Sequence, residues 1–323
     1  MKPALTVIIP VLNGMPYLPE MLASLAAQTF RDFEVVLWDN GSTDGTVAEA
    51  EKWLPGRLPG RVVAGVPLPL HECLARMVRE STSELCARMD ADDLAHPERF
   101  ARQVAFLAGH PECDGVGGQM ELVNERNEKI GLAAAAPLGH AAVLLTMFWR
   151  NAMPHPAMVF RRTAALAAGN YSAHKPVEDY DLWLRMCLRG RLANLPEMVL
   201  QYRVHATSVC AGEARAGQLV QKMHECAARH SSALFDIAAP EMLALLARRK
   251  FLSVFPLEHL LTSVARRAGV ARADLRRTPE FHAAGRAVCH RRDLFTRMYL
   301  AILETHARGQ SLTGMILHKL HVR

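Results

Sequence analysis

The sequence predicts an α/β protein: a mostly parallel sheet with helices on both faces, followed by a helical C-terminal region. Three observations carry that expectation. Short apolar, β-branched runs alternate with amphipathic stretches through the first hundred residues. Polar clusters stand directly after three of those runs, where a parallel sheet places its ligands. From about residue 214 onward strand signals nearly stop and helical spacing takes over.

The elements follow in order. Leu5-Thr6-Val7-Ile8-Ile9 reads as a buried strand ended by Pro10. Residues 15–28 carry Leu18, Met21, Leu22 and Leu25 at helical spacing. Phe33 to Trp38 reads as a second strand, broken sharply by Asp39-Asn40-Gly41-Ser42-Thr43-Asp44-Gly45, with a helix over 44–53. A third strand is expected at Arg61–Ala64, a helix at 70–80 and a fourth strand from Glu84 to Met89. Pro97 opens a helix with Phe100, Val104 and Leu107 on one face. Asp114 to Gly118 reads as a tight segment and Ala157 to Phe160 as a strand. Asp181 to Arg189 reads as a helix with Gly190 as its C-terminal cap. His155, between Pro154 and Pro156, reads as extended. The expected organisation is a domain over 1–213 and a basic, mainly helical region over 214–323.

Composition narrows the class. Half of the 323 residues are hydrophobic and 22% are charged, which suits a packed chain and excludes a disordered one. No apolar run reaches the roughly 18 residues of a membrane span, and the N-terminus reads as a strand, not a signal peptide. Seven cysteines without a C-x-x-C pair fit a reducing cytosol and argue against a disulfide framework or a cysteine zinc site. Residues 214–323 hold 18 Lys and Arg against 8 Asp and Glu, an excess of basic charge that includes Arg266-Arg267, Arg276-Arg277 and Arg291-Arg292. Such a tail suggests an anionic partner, a lipid headgroup surface, an acidic glycan or nucleic acid, or else a solvated basic face.

The chemistry sits in the polar clusters. Asn13-Gly14, Asp39 to Gly45 and Asp90-Ala91-Asp92-Asp93 follow the first, second and fourth strands, so the topology converges them on one crevice. There is no G-x-G-x-x-G and no G-x-x-x-x-G-K-[ST], which excludes a dinucleotide fingerprint and a P-loop. H-E-x-x-H and G-x-S-x-G are also missing, which removes zincins and α/β-hydrolases. Carboxylates without a nearby Cys or His suit a hard cation, Mg²⁺ or Mn²⁺, held by one or two acids together with substrate phosphates. The residues alone therefore point to a metal–diphosphate site with a nucleotide in the crevice.

Several stretches carry a resemblance. Pro10-Val11-Leu12-Asn13, Asp39 to Thr46 and Asp90-Ala91-Asp92-Asp93 resemble the N-terminal motifs of the family 2 glycosyltransferases, inverting enzymes of the Rossmann-like GT-A fold. His96 to Phe100, Gln103 to Leu107, Pro154 to Ala157, Glu178 to Leu184 and Tyr202 to His205 extend it, in the family's order, over about residues 4–210.

The resemblance implies roles. Asp39 would bond the nucleotide base, with Pro10, Val11 and Asn13 lining the same pocket and Asn40 beside it. Asp90 would lie by the ribose and sugar, with Ala91 next to it. Asp92 would ligate the divalent cation, His205 would lie against the diphosphate or metal, and Arg76 would supply a basic group to the nucleotide site. Asp179 would be the general base, with a pKa raised by burial or by Glu178 and Asp181. Asp93 would steady the turn. His155, Glu178 and Trp183 are candidate contacts to donor or acceptor. Two departures stand out: Ala75-Arg76-Met77 replaces Asn-Arg-Gly, and Asp39-Asn40 replaces a pair of aspartates.

The implied activity is transfer of a sugar from a UDP- or dTDP-linked donor to a hydroxyl of a glycan or lipid-linked glycan. The implied setting is bacterial surface polysaccharide or lipopolysaccharide assembly, in the cytoplasm at the inner face of the membrane, with the basic region as a candidate peripheral contact and no nucleic acid partner. The rivals are a nucleotidyltransferase, which would want a Gly-rich basic loop that Pro10 to Tyr17 lacks, and a nucleotide-sugar-binding protein without turnover. A two-carboxylate glycosidase has no use for the crevice.

Overall fold

The structure is a computed structural model that describes residues 2–65, 67–174, 176–206, 213–246 and 254–281. Arg291-Arg292 and the rest of the expected basic tail past 281 lie outside the described residues. In chain order the first elements are β1 (Leu5–Val11), α1 (Leu18–Ala26), β2 (Phe33–Asp39), α2 (Thr46–Trp53), β3 (Gly60–Ala64), α3 (Leu70–Glu80) and β4 (Leu85–Arg88). Then come β5 (Leu94–Ala95), α4 (Arg99–Gly109), β6 (Cys113–Val123), β7 (Lys129–Leu132) and α5 (His140–Met147). A 3₁₀ turn at His155–Ala157 precedes β8 (Val159–Arg161), α6 (Arg162–Ala167), α7 (Glu178–Cys187) and β9 (Arg191–Arg203). Helices α8 (Glu213–Phe235), α9 (Ala239–Leu246), α10 (Val254–Ala268) and α11 (Arg272–Arg276) complete the described chain.

Contacts divide the chain into two compact units, Met1–Leu138 with Met153–Leu219, and Gly139–Ala152 with Val220–Arg323. The first holds one sheet in the order β3-β2-β1-β4-β8-β6-β9-β5, with β7 hairpinned onto β6. Strands β3, β2, β1 and β4 are mutually parallel, as expected from the alternating pattern. β8 enters antiparallel between β4 and β6, and β6 runs parallel to β9.

Alternation explains the packing. Leu5, Val7, Ile9 and Val11 of β1 and Phe33, Val35 and Leu37 of β2 join Leu18, Met21, Leu22 and Leu25 of α1 in one buried cluster. The intervening side chains face the other side, where α3 packs on β1 and β2. Gln103 of α4 locks the centre: its Nε2 donates to Ala157 O at 2.8 Å and Val116 O at 3.0 Å, and its Oε1 accepts from Arg99 Nε at 3.1 Å.

Four expectations are corrected. Pro10 does not end β1, which runs to Val11. Ile8 O accepts from Met89 N on the β4 side and Val11 O accepts from Asn40 N on the β2 side. Pro10 therefore turns its missing N–H toward the β4 side, beyond Arg88, where no ladder partner waits. Asp114 to Gly118 is not a tight turn but part of β6, and a Cβ on Gly117 would meet Asn194 Oδ1 at 2.2 Å, so close approach explains the glycine. Gly190 is not a left-handed cap: α7 ends at Cys187, and a Cβ at 190 would fall 1.8 Å from the Asp114 carboxylate. His155 is in the 3₁₀ turn and not extended. The long β9 had no signal, because Pro196 interrupts its pattern; the β6–β9 register shifts there, between Gly117 and Gln119.

The second unit contains α5, much of α8 and α9 to α11. Phe148 and Phe235 meet edge to face at 5.6 Å, and α10 packs on α5. Arg266 pairs with Asp236, and Arg267 donates to Ala233 O, so this pair ties helices together. Among the described residues no helix is long and apolar enough to cross a membrane.

Gly60 has φ +148°, and a Cβ there would stand 2.0 Å from the Val35 carbonyl oxygen. Gly60→Ala is expected to lower unfolding free energy by about 3 kcal/mol. Urea denaturation checks this; a loss under about 1 kcal/mol would contradict the strained register between β2 and β3.

Candidate active site

β4 delivers a charged stretch to the carboxyl end of the sheet. Carboxylate oxygens of Asp90, Asp92 and Asp93 lie within 4.8 Å of one another. Asp93 is fully buried, and Asp90 and Asp92 keep about a third of their side chains exposed, 30% and 33%. Burial, then the charges of Asp90 and Asp92, push the Asp93 carboxyl well above its usual range. Burial also raises Asp90; Arg88 opposes this and Asp92 adds to it.

Three buried arginines compensate. Arg88, the last residue of β4, pairs with Asp90. Arg99 donates through Nη2 to Arg88 O at 2.8 Å, and burial brings its own pKa down to about 9. Arg203, at the end of β9, uses its backbone N–H on Asp93 Oδ1 at 2.9 Å and its Nε on Asp92 O at 2.7 Å. Its Nη1 reaches Asn127 Oδ1 at 2.6 Å and its Nη2 reaches Glu20 Oε2 at 2.8 Å. The guanidinium lies 4.6 Å from the Tyr17 ring centre, a cation–π contact. His205 Nε2 is 2.8 Å from Asp92 Oδ2, and its ring lies 5.0 Å from that of Tyr17.

The loops after β1 and β2 are stitched together. Asn13, at φ 54°, donates its N–H to Ser42 Oγ at 2.7 Å and accepts from Thr43 N–H at 2.9 Å through Oδ1. Gly14 N–H donates to Thr46 Oγ1 at 2.8 Å and Met15 N–H to Asp44 Oδ2 at 2.9 Å. Asp39 is buried and its carboxylate accepts from the N–H groups of Gly41 and Ser42 at 3.1 Å. Asn40, expected beside the nucleotide, gives both ends of its amide to Leu68: Nδ2 donates to Leu68 O at 2.8 Å, and Oδ1 accepts from Leu68 N–H at 2.7 Å. An aspartate could not make the first bond, which accounts for the departure at this position. Val11 is buried and Pro10 half-buried beside it. A Cβ on Gly14 would lie 3.6 Å from that of Ala91, so this loop abuts the carboxylate turn. Arg76 pairs with Glu80 at 2.6 Å and lies over Trp38, 4.9 Å from the ring centre.

Asp179 opens α7. Its pKa is pushed up to about 6, first by burial and then by the Glu178 charge, against backbone N–H donors and Arg88. Asp181, expected to add to that push, is instead engaged by Arg185 at 2.8 Å and the Ser172 hydroxyl at 2.6 Å. Glu178 is buried, and among the described residues its Oε2 has no hydrogen-bond partner. His155 Nε2 is 2.9 Å from Tyr171 Oη, with the fully buried Trp183 edge-on at 6.1 Å.

The Arg88 charge acts on Asp90, Asp93, His155, Tyr171 and Asp179 alike, so positions some 90 residues apart in sequence share one electrostatic centre. Sequence reasoning missed Arg88, Arg99 and Tyr171 as site residues. For Arg88 a signal existed: a cation inside the apolar run Leu85 to Met89 must find buried anions. The donor set is oxygen from carboxylates gathered at one point, which fits a divalent cation.

A parallel nucleotide-type sheet ending in clustered carboxylates, with the half-buried Asp179 under the same Arg88 charge, is the arrangement of a GT-A glycosyltransferase. Residues 6–168 match the family model "Glycosyl transferase family 2". The amylovoran biosynthesis glycosyltransferase AmsE of Erwinia amylovora is 31% identical over 195 residues, covering 59% of this chain and 72% of AmsE. The O-antigen biosynthesis glycosyltransferase WbnJ of Escherichia coli is 29% identical, covering 63% of this chain and 81% of WbnJ. By fold, the chain is similar to S. aureus TarS in complex with UDP (TM-score 0.56, 18% identity, 97% of this chain and 93% of that one). It is also similar to the mannosyltransferase PcManGT of Pyrobaculum calidifontis in complex with GDP-Man and Mn²⁺ (TM-score 0.54, 21% identity, 96% and 83%). This chain belongs to glycosyl transferase family 2 and is a glycosyltransferase.

Asn40→Asp is expected to weaken the clasp on Leu68 and raise the donor KM about fivefold, the worth of one lost hydrogen bond with a mismatched acceptor. Steady-state kinetics at varied donor checks it; an unchanged KM would place Leu68 and the chain around it outside the donor site.

Proposed function

We propose that this chain is an inverting glycosyltransferase that moves a sugar from a UDP- or dTDP-linked donor to a hydroxyl of a glycan or lipid-linked acceptor. The observation that carries the reading is Asp179. It is a half-buried acid whose pKa of about 6 suits proton abstraction near neutrality, and it shares Arg88 with the carboxylate turn. The names of the relatives, amylovoran and O-antigen biosynthesis, support a glycan acceptor.

In this reading the donor nucleotide lies across the clasped loops after β1 and β2, with its base at Asp39 and the Pro10–Val11–Asn13 wall. Arg76 faces it from α3, and its diphosphate reaches the turn at Asp90, Ala91 and Asp92. Asp92 and His205 would hold the Mg²⁺ or Mn²⁺, which supplies charge to offset the departing diphosphate. Asp179 takes the proton of the acceptor hydroxyl as that oxygen bonds to the anomeric carbon. The bond from that carbon to the diphosphate oxygen breaks on the opposite face, the diphosphate leaves with the electron pair, and the configuration inverts. Asp90 orients the sugar, and its pairing with Arg88 opposes the rise that burial imposes on its pKa. Glu178 and Trp183 act from behind, one through charge on Asp179 and the other by packing on His155.

Asp179→Asn is expected to lower kcat at least about a thousandfold while nucleoside diphosphate binding, by calorimetry, stays within about twofold. Lost binding with lost turnover would make the residue structural. The base works as a carboxylate, so kcat/KM should be flat above the raised pKa of about 6 and fall tenfold per unit below it. Glu178→Gln removes the second cause of that rise, so the acid limb should move to lower pH. An unmoved limb would mean that another group titrates.

A further inference from the structure

Tyr171 and His155 form a pair whose proton positions can be assigned. Tyr171 is 5% exposed, and among the described residues the hydrogen-bond partner of its hydroxyl is His155 Nε2 at 2.9 Å. A buried phenol O–H needs an acceptor. Burial, which outweighs the opposing Arg88 charge and is joined by Asp179, holds the phenol well above its usual pKa, so it keeps its proton. That proton points at Nε2, which must then offer a lone pair. His155 itself is neutral, because burial and the Arg88 charge push its pKa well below the usual value. A neutral imidazole with a lone pair on Nε2 carries its hydrogen on Nδ1.

Among the described residues Nδ1 has no hydrogen-bond partner, and His155 is only half-buried, which leaves its N–H for a ligand. The ring is held by Tyr171 at 5.6 Å and Trp183 at 6.1 Å between ring centres. Trp183 stands one helical turn after Asp179 on α7, and the charges of Asp179 and Glu178 at the start of that helix act on Tyr171.

We propose that Tyr171 is a positioning residue that fixes His155 as the Nδ1–H tautomer, so that this N–H donates to a hydroxyl of the sugar bound beside Asp179. The assignment of the ligand rests on the glycosyl-transfer reading above; the assignment of the tautomer does not. The hydroxyl belongs to the donor sugar or to the acceptor, and kinetics separate the two.

The test is ¹⁵N NMR of the full chain labelled at histidine, with the His155 ring identified by its loss in His155→Asn. Wild type should show Nδ1 protonated and Nε2 bare at neutral pH, and Tyr171→Phe should shift the ring toward Nε2–H. An Nε2–H ring in wild type overturns the proposal even if Tyr171→Phe fails to fold, and so does a ring that Tyr171→Phe leaves unchanged. Kinetics give the second readout. His155→Gln and Tyr171→Phe should lose about tenfold in kcat/KM, and His155→Asn, which places an amide N–H near Nδ1, should lose less than His155→Gln. A rise in donor KM, also seen in donor hydrolysis without acceptor, assigns the hydroxyl to the donor; a rise in acceptor KM assigns it to the acceptor. Unchanged kinetics in His155→Gln would overturn the contact. A wild type with the Nδ1–H ring but no sugar transfer would overturn the glycosyl-transfer reading and the sugar ligand with it.

Discussion

Three aspartates in four residues repel one another, and at the end of a buried strand water does little to screen them. The structure tolerates Asp90, Asp92 and Asp93 because Arg88, Arg99 and Arg203 are buried around them. Much of the first unit is arranged by that compensation. Arg203 alone joins the carboxylate turn to Glu20 on α1 and to Asn127 between β6 and β7. It can do so because β9 runs beside β6 for its whole length and delivers residue 203 to the turn. Each arginine buried without its acids, or each acid without its arginines, would leave an uncompensated charge.

A second division of labour follows. Amide and hydroxyl side chains, those of Asn13, Asn40, Ser42 and Thr46, are used on backbone groups, and they fix the loops before any ligand arrives. The carboxylates of Asp92 and Asp90 retain exposure toward the crevice. A preorganised rim with acids left for the ligand is what a metal-assisted displacement needs, since reorganisation at the moment of reaction would add to the barrier. Burial and a neighbouring acid raise the proton affinity of Asp179 and Asp90 alike, and the Arg88 charge opposes the rise at both, through a direct ion pair at Asp90.

The N-terminal half was legible because its strands are short, apolar and punctuated, and the polar clusters after β1, β2 and β4 stand at those strands' carboxyl ends. Family resemblance supplied roles that spacing could not. What stayed hidden was set by distant partners. Asn40 reads as a ligand group until Leu68 is seen to occupy both its ends. Gly117 and Gly190 read as turn residues, yet Asn194 and Asp114 fill the space their side chains would take. β9 lacks alternation because both its faces are covered for part of its length and Pro196 breaks the ladder. Tyr171 has no motif of its own; only its bond to His155 marks it.

The central claim is that the carboxylate turn after β4 receives a divalent cation together with a nucleoside diphosphate. Calorimetric titration of Mn²⁺ into the full chain in the presence of UDP or dTDP tests it most directly. Saturable binding is expected, lost in Asp92→Asn while the fold, by circular dichroism, is kept. Equal Mn²⁺ binding by wild type and Asp92→Asn would contradict it.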